Sequence, residues 1–133
     1  MRPPSSVEVE RVLETLGQSC GLGPLQLDEH RQLVLDLEPG NQVLLIQDLE
    51  DGSGRGLMVA VSGPCNWLRP ELCFQLLQKA DFRQHGTQPP RWIWNNGRLW
   101  ASIRLPHAGL LAAGLEQVIH RLCGELDAVA DPT

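Results

Sequence analysis

The stretch LVLDLEPGNQVLLIQDLEDGSGRGLMVAV, residues 33–61, decides the fold of this chain. It contains three apolar runs that we predict to be β-strands, Leu33–Leu37, Val43–Leu49 and Leu57–Val61. Residues 39–41 (Pro-Gly-Asn) separate the first two runs, and the glycine-rich residues 51–56 separate the second and third. Proline fixes φ, and glycine and asparagine tolerate positive φ, so both breaks are typical of tight turns. The pattern therefore predicts an antiparallel meander.

The apolar residues of this stretch fall on both faces of the predicted sheet. The first strand alternates as a half-buried strand should, with leucines at 33, 35 and 37 on one side and Asp36 on the other. The second strand carries Val43 and Leu45 on one side, and Leu44 and Ile46 on the other. The third strand is likewise apolar on both sides. We expect enough helices to cover only one face, and a large apolar patch left on a soluble protein predicts a partner surface.

The rest of the chain supplies three helices and a second hairpin. A capping box at Ser5 and Glu8 predicts a first helix over about Ser6–Ser19, and Arg69–Ala80 is predicted to form a second. A stripe of apolar residues predicts a long last helix over about Ala108–Val129. Glycines at 109, 114 and 124 weaken that helix, and we expect another element to approach it there. The element order is αβββαββα, which predicts one α+β domain over residues 1–133, with a twisted, mainly antiparallel sheet, helices packed on it and flexible ends at about 1–5 and 130–133.

The second hairpin has a predicted register. Asn96-Gly97 between two apolar runs is the strongest short-range signal for a two-residue type I′ turn. In that register Trp94 faces Leu99 and Trp92 faces Ala101, while Ile93 faces Trp100 on the other side. Tryptophan concentrated in this way is more often core than site, although it is also enriched in interfaces.

Composition excludes several classes of function. The chain has 133 residues, 42% of them hydrophobic and 20% charged, which fits a globular domain. Its formal net charge is −5, and residues 1–51 alone hold ten acidic residues against three arginines, a net charge of −7. An acidic domain repels phosphate backbones, so nucleic-acid binding is disfavoured. No apolar run is long enough for a membrane span, and the N-terminal residues lack the apolar core of a secretory signal, so we expect a cytoplasmic protein.

No constellation of catalytic or metal-binding type emerges. The four cysteines are widely spaced without a C-x-x-C motif, which predicts reduced, mostly buried thiols and neither disulfide nor metal. His120 and Cys123 could touch on the last helix, but one such pair is a weak signal. The glycine-rich turn leads into a strand and not into a helix, so it does not match a phosphate loop. One alternative stays open, a small α/β enzyme or ligand-binding domain that uses Cys65 and a histidine.

The whole pattern resembles the class I type III secretion chaperones of Gram-negative bacteria, the Tir-chaperone or SycE-like family. The matching features are the acidic amphipathic helix around Val9–Cys20, the meander, the segment Leu76–Phe82, the hairpin turn, and Leu105-Pro106 leading into the last helix. The resemblance implies a bacterial cytoplasmic homodimer that uses no cofactor and does no catalysis. It would hold the N-terminal chaperone-binding segment of a cognate effector in an extended form and keep it soluble and secretion-competent.

The same resemblance implies two sets of site residues. The twofold interface would be built from the second helix and the fourth strand, by Trp67, Leu72, Leu76, Leu77, Trp92 and Trp94. Effector contacts would come from the meander and the first helix, by Val12, Leu16, Leu35, Leu37, Leu44, Ile46 and Met58. Sequence alone leaves open which face of the sheet the helices cover.

Overall fold

The computed structural model describes residues 4–23, 25–37, 42–51, 54–64, 90–95, 97–106 and 110–129. Within them lie two helices and five strands, in an α+β arrangement. The elements are α1 (Pro4–Cys20), β1 (Gln32–Leu37), β2 (Gln42–Asp51), β3 (Gly54–Pro64), β4 (Arg91–Asn95), β5 (Arg98–Pro106) and α2 (Ala112–Val129). The helix predicted over Arg69–Ala80 falls outside the described residues. Neither described helix is long and apolar enough to cross a membrane.

The five strands form one antiparallel sheet in the order β1-β2-β3-β5-β4. All three strands of the predicted meander are present, each longer than its apolar run. Leu35 lies opposite Leu44, Leu44 opposite Val61, and Val61 opposite Ala101. Paired residues share a face of the sheet, so one row of side chains can be followed across from β1 to β5.

The turn between β2 and β3 is shorter than the predicted break at 51–56. Pairing continues to Asp51 opposite Gly54, so the second half of the glycine-rich run is strand and the prediction of its extent was wrong. Gly56 has a packing reason to be glycine. A β-carbon there would lie 2.7 Å from Nε of Arg104 and 3.0 Å from the carbonyl oxygen of Leu105, both on the neighbouring β5. The glycine lets two strands pack closely where sequence reasoning expected only a flexible turn.

The second hairpin is confirmed with its predicted register. Trp94 pairs with Leu99, Trp92 with Ala101, and Ile93 with Trp100. Gly97 has a φ of 76°, the positive value that the short turn requires.

Helix α1 begins at Pro4 and ends in a Schellman motif. The predicted start at Ser6 was two residues late, because proline is accepted in the first turn, where its missing N–H has no partner to lose. At the other end Gly21 has a φ of 69°. Its N–H donates to the carbonyl of Gln18 (3.4 Å), and the N–H of Leu22 donates to that of Gly17 (2.9 Å).

Helix α2 begins at Ala112 and not at the predicted Ala108. The N–H of Leu115 donates to the carbonyl of Leu111 over 3.0 Å, so Leu111 is the residue that flanks the first turn. Glycine at 109 is a poor helix former, which disfavours an earlier start. We expected another element to pack closely against the glycines of this helix. At Gly114 and Gly124 it does not, because a β-carbon there would meet nothing within 4 Å.

The core lies between the two helices and one face of the sheet. Helix α2 packs on β3 and β5 and contacts α1. We call the side of the sheet that packs against them the helix-covered face. Its buried members, together with those of the two helices, are Val9, Leu13, Leu16, Leu33, Leu44, Ile46, Leu57, Val59, Val61, Leu99, Ala101, Ile103, Leu115, Leu122 and Leu126.

Candidate functional site

The other side of the sheet carries a second set of apolar residues, and neither described helix packs on it. We call this side the opposite face. The strand register assigns to it Val34, Val43, Leu45, Leu49, Met58, Ala60, Ile93 and Trp100. Val34 at one margin is 59% exposed and Ile93 at the other is 48% exposed. The predicted surplus of apolar surface is therefore found on this face.

The middle of the opposite face is tightly filled. Ala60 is 3% exposed and Ser62 is fully buried. Arg98 lies over Ser62, with its Nε donating to the Ser62 hydroxyl (3.0 Å) and its Nη2 to the Ser62 carbonyl (3.4 Å). The exposed apolar residues consequently lie towards the two edges of the sheet.

One edge of the sheet is strand β1. Among the described residues it pairs only with β2, so its outer row of N–H and C=O groups faces away from the sheet. Val34 and Asp36 on this strand are exposed on the opposite face, while Leu33 is buried in the core. An edge strand with one apolar and one acidic side chain outward offers both backbone hydrogen bonds and side-chain contacts to an added strand.

The other edge is strand β4, which carries two of the predicted interface residues. Trp94 is 42% exposed, and Trp92 packs partly buried against the core. The Trp92 Nε1–H is buried without a hydrogen-bond acceptor in the described part of the chain. A buried N–H without an acceptor is unfavourable, and a second surface packed against β4 could supply an acceptor for it. The other four predicted interface residues, Trp67, Leu72, Leu76 and Leu77, lie outside the described residues.

Six of the seven residues predicted to contact an effector come together in the hydrophobic core and not on an open surface. Leu44 and Ile46 are 1% and 0% exposed in the core, and Leu16 is 1% exposed on α1. These three cannot touch a client while the core is closed. Val12, Leu35 and Leu37 are partly buried against the same core. Met58 alone of the predicted set lies on the opposite face, partly buried.

A small polar cluster joins the two helices. Glu116 on α2 accepts from the Ser19 hydroxyl at 3.4 Å and lies 3.7 Å from Nε2 of His120. Cys20 is largely exposed, but the slight burial of its thiol raises the pKa of that thiol, and the charge of Glu116 and a hydrogen bond to it raise the pKa further. Cys20 is exposed, so the prediction of mostly buried cysteines was wrong for this residue.

The remaining cysteines and histidines make no site in the described residues. Burial and then the charge of Asp127 raise the pKa of Cys123, so His120, which faces Glu116, is not its main electrostatic neighbour. No group of His, Cys, Asp or Glu side chains in the described ranges could hold a metal ion. Cys65, the nucleophile of the alternative prediction, lies outside those ranges.

Sequence reasoning missed the outward residues Val34, Leu45, Ile93 and Trp100. The signal that could have found them is in the first strand. Asp36 marks the outward side of β1, and the pairing of β1 with β2 carries that side to Val43 and Leu45. The same step places Leu44 and Ile46 inward.

No protein-family model and no curated protein matches the chain. Solved structures do match it, among them a chaperone–effector complex and a type III secretion chaperone. One is a chain of the HopA1–SchA chaperone–effector complex, 17% identical, covering 96% of this chain and 97% of that one with a TM-score of 0.74. Another is from the ExsC–ExsE complex, 18% identical, covering 94% and 90% with a TM-score of 0.71. A third is the Yersinia pestis type III secretion chaperone SycH in complex with a stable fragment of YscM2, 13% identical, covering 91% and 98% with a TM-score of 0.71.

These likenesses span nearly the whole chain, so they concern the fold and not one shared motif. The protein has the fold of a class I type III secretion chaperone, as its sequence predicts. At identities of 13–18% the likeness establishes the fold alone.

Proposed function

We propose that this protein is a type III secretion chaperone that binds the N-terminal chaperone-binding segment of a secreted effector and keeps it secretion-competent, without catalysis. The observation that carries the proposal is the near full-length match, over 91–96% of this chain, to three structures solved as complexes. The apolar opposite face, and the two sheet edges that pair with no further strand of the described residues, supply surface on which an extended client can lie.

The client contacts are proposed for the β1 edge and the adjoining part of the opposite face. An extended client added beside β1 would satisfy backbone groups that have no partner in the sheet, which gives affinity with little dependence on sequence. Alternate client side chains would then reach Val34 and Leu45, which are neighbours across β1 and β2. This assignment replaces the inward residues Leu44 and Ile46 by their outward neighbours.

The protein is proposed to be a homodimer that closes through the β4 side. Trp94 and Ile93 on β4 are 42% and 48% exposed, on the two sides of one edge strand, and tryptophan is enriched at interface centres. Multi-angle light scattering at micromolar concentration should return twice the chain mass of 14.7 kDa. Trp94→Glu should return the single mass with unchanged circular dichroism, and Trp94→Phe should remain dimeric. A wild-type mass near 14.7 kDa would count directly against the dimer.

Client binding is tested by co-purification from the organism that carries the gene. A tagged copy should retain one partner with a type III secretion signal, and removal of that partner's N-terminal region should abolish retention. The variant Leu45→Asp should fold as the wild type does but should no longer retain the partner. Retention of no secreted protein, by a tagged copy that is folded, would contradict the proposal.

A further inference from the structure

A tight turn immediately precedes the edge strand β1. Asp28 organises it, because its Oδ1 accepts the backbone N–H groups of His30 (2.8 Å) and Gln32 (3.0 Å). The backbone of Asp28 also accepts from the Arg31 N–H (2.9 Å) and donates to the Gln32 carbonyl (2.8 Å). The turn therefore delivers the chain into β1 at a defined residue, Gln32, opposite Gln47 of β2.

Arg31 has an unusual backbone conformation in this turn. Its φ is 63°, and it is the only non-glycine residue with positive φ among the described residues. Gly21 and Gly23 in the preceding loop have φ values of 69° and 78°, which glycine adopts without steric cost. An arginine pays that cost through the contact of its β-carbon with the backbone. Strain kept at a residue with a long side chain suggests that the side chain is needed there.

The side chain of Arg31 reaches Asp48 on β2. Its Nη2 pairs with Asp48 Oδ2, and the Asp48 N–H donates to the Arg31 carbonyl at 3.0 Å. The Asp48 side chain is 2% exposed, whereas that of Arg31 is 42% exposed. Asp48 lies on the helix-covered face, opposite the fully buried Leu57. A carboxylate buried this far requires a cationic or hydrogen-bonding partner.

We propose that Asp48 is a positioning residue for the client-accepting edge. The Asp48 N–H binds the Arg31 carbonyl, and the Asp48 carboxylate binds the Arg31 guanidinium. Together these two contacts hold Arg31 in its left-handed conformation, and this fixes the residue at which β1 begins. A shift of one residue in β1 would exchange Val34 with the inward leucines and move the outward pattern away from a client. This inference rests on the proposed function for its consequence, but the structural link itself can be tested without a client.

Arg31→Gly should change the opening of β1 in opposite directions in the wild-type background and in the Asp48→Ala background. In the wild-type background Arg31→Gly removes the guanidinium from a buried carboxylate, so β1 should open more often. In the Asp48→Ala background the buried carboxylate of residue 48 is gone, so relief of the backbone strain becomes the main effect of Arg31→Gly on this turn, and β1 should open less often. An ion pair between two exposed groups, with no buried charge and no backbone strain, would give no such change of sign between the two backgrounds.

The experiment measures amide hydrogen exchange in the wild type, Asp48→Ala, Arg31→Gly and the double variant. Residues 57–63 of β3 serve as the internal reference for global opening. Each single variant should speed exchange in residues 32–37 by about tenfold or more relative to β3. The double variant should exchange about threefold more slowly there than Asp48→Ala alone. Equal effects of Arg31→Gly in both backgrounds, or equal acceleration of β1 and β3, would overturn the assignment.

Client binding provides the second readout, with the N-terminal fragment recovered by co-purification as the probe. Asp48→Ala should raise the apparent Kd by the factor 1/f, where f is the fraction of molecules in which β1 is closed, taken from the exchange rates, and the double variant should lower it again. An apparent Kd that does not follow f across the four proteins would show that the pair holds the strand but does not position the client edge. Failure to recover any client would overturn the proposed function instead, because the exchange rates need none.

Discussion

Leu45 and Ile46 are consecutive residues of β2 whose side chains point to opposite faces of the sheet, which makes them a matched pair. We predict that Ile46→Asp prevents folding, whereas Leu45→Asp leaves a folded protein that has lost its client. Ile46 is fully buried between its cross-strand partners Leu33 and Val59. Leu45 is partly buried on the opposite face, between Val34 and Ala60.

The magnitudes separate the two outcomes. Removing the fully buried Ile46 side chain forfeits about 1.5–3 kcal/mol of hydrophobic stabilisation. A carboxylate in its place destabilises the fold by several kcal/mol more, because the cross-strand neighbours Leu33 and Val59 carry no charge that could pair with it. Together these approach the ~5–15 kcal/mol that stabilises a whole domain. Leu45→Asp loses only part of one side chain's burial and leaves the carboxylate near solvent, so it should cost about 1–2 kcal/mol.

The assay combines urea denaturation, followed by tryptophan fluorescence, with co-purification of the client. Leu45→Asp should unfold cooperatively with a modestly lowered midpoint and retain no client, and Leu45→Val should behave as wild type in both measurements. Ile46→Asp should show no cooperative transition. Full client retention by folded Leu45→Asp would refute the placement of the client on the opposite face. A folded Ile46→Asp would refute the assignment of faces itself.

Two further predictions concern the helices. Gly17→Ala should destabilise the protein by about 1–3 kcal/mol, because the new β-carbon would overlap the carbonyl oxygen of Gly23, whereas Gly114→Ala should stabilise it by up to about 1 kcal/mol, since a β-carbon there meets nothing within 4 Å. Urea denaturation of both variants tests this, and equal shifts would contradict the tight packing of the loop on α1. The raised pKa of Cys20 predicts slow alkylation at pH 8.5, because less thiolate is present than in a free cysteine. Glu116→Gln removes a charge that raises this pKa and should speed alkylation, and an unchanged rate would show that Glu116 does not act on the thiol.

Local features were predictable from the sequence wherever chemistry within a few residues decides the structure. The second hairpin came with its correct register because Asn96-Gly97 admits a two-residue turn and leaves little choice of pairing. The stripes of α1 and α2 predicted two helices for the same reason. Their starts were misplaced by two and four residues, because caps depend on individual hydrogen bonds such as that from the Leu115 N–H to the Leu111 carbonyl.

The site was harder to predict because it depends on which face of the sheet the helices cover. Both faces of β2 are apolar, so β2 alone cannot decide between Leu45 and Ile46. The polar residue Asp36 on β1 decides it, but only once the β1–β2 register is known. The pairing of Arg31 with Asp48 could not be predicted from the sequence, for a related reason. An aspartate in line with inward Leu44 and Ile46 signals a buried charge, but nothing in the sequence names its partner.

The two edges of the sheet must have different roles, by an argument from symmetry. A sheet whose β1 edge paired with the β4 edge of the next copy would make a head-to-tail contact, which gives a ring or an open filament, consumes the β1 edge and cannot give a twofold dimer. A dimer that closes through β4 onto β4 instead uses each such edge once and leaves two β1 edges, related by a twofold axis. An extended client runs in one direction, so one client strand cannot make the same contacts at both edges. The mass of the complex therefore distinguishes two equivalent clients per dimer, one on each β1 edge, from a single client that engages the two edges differently.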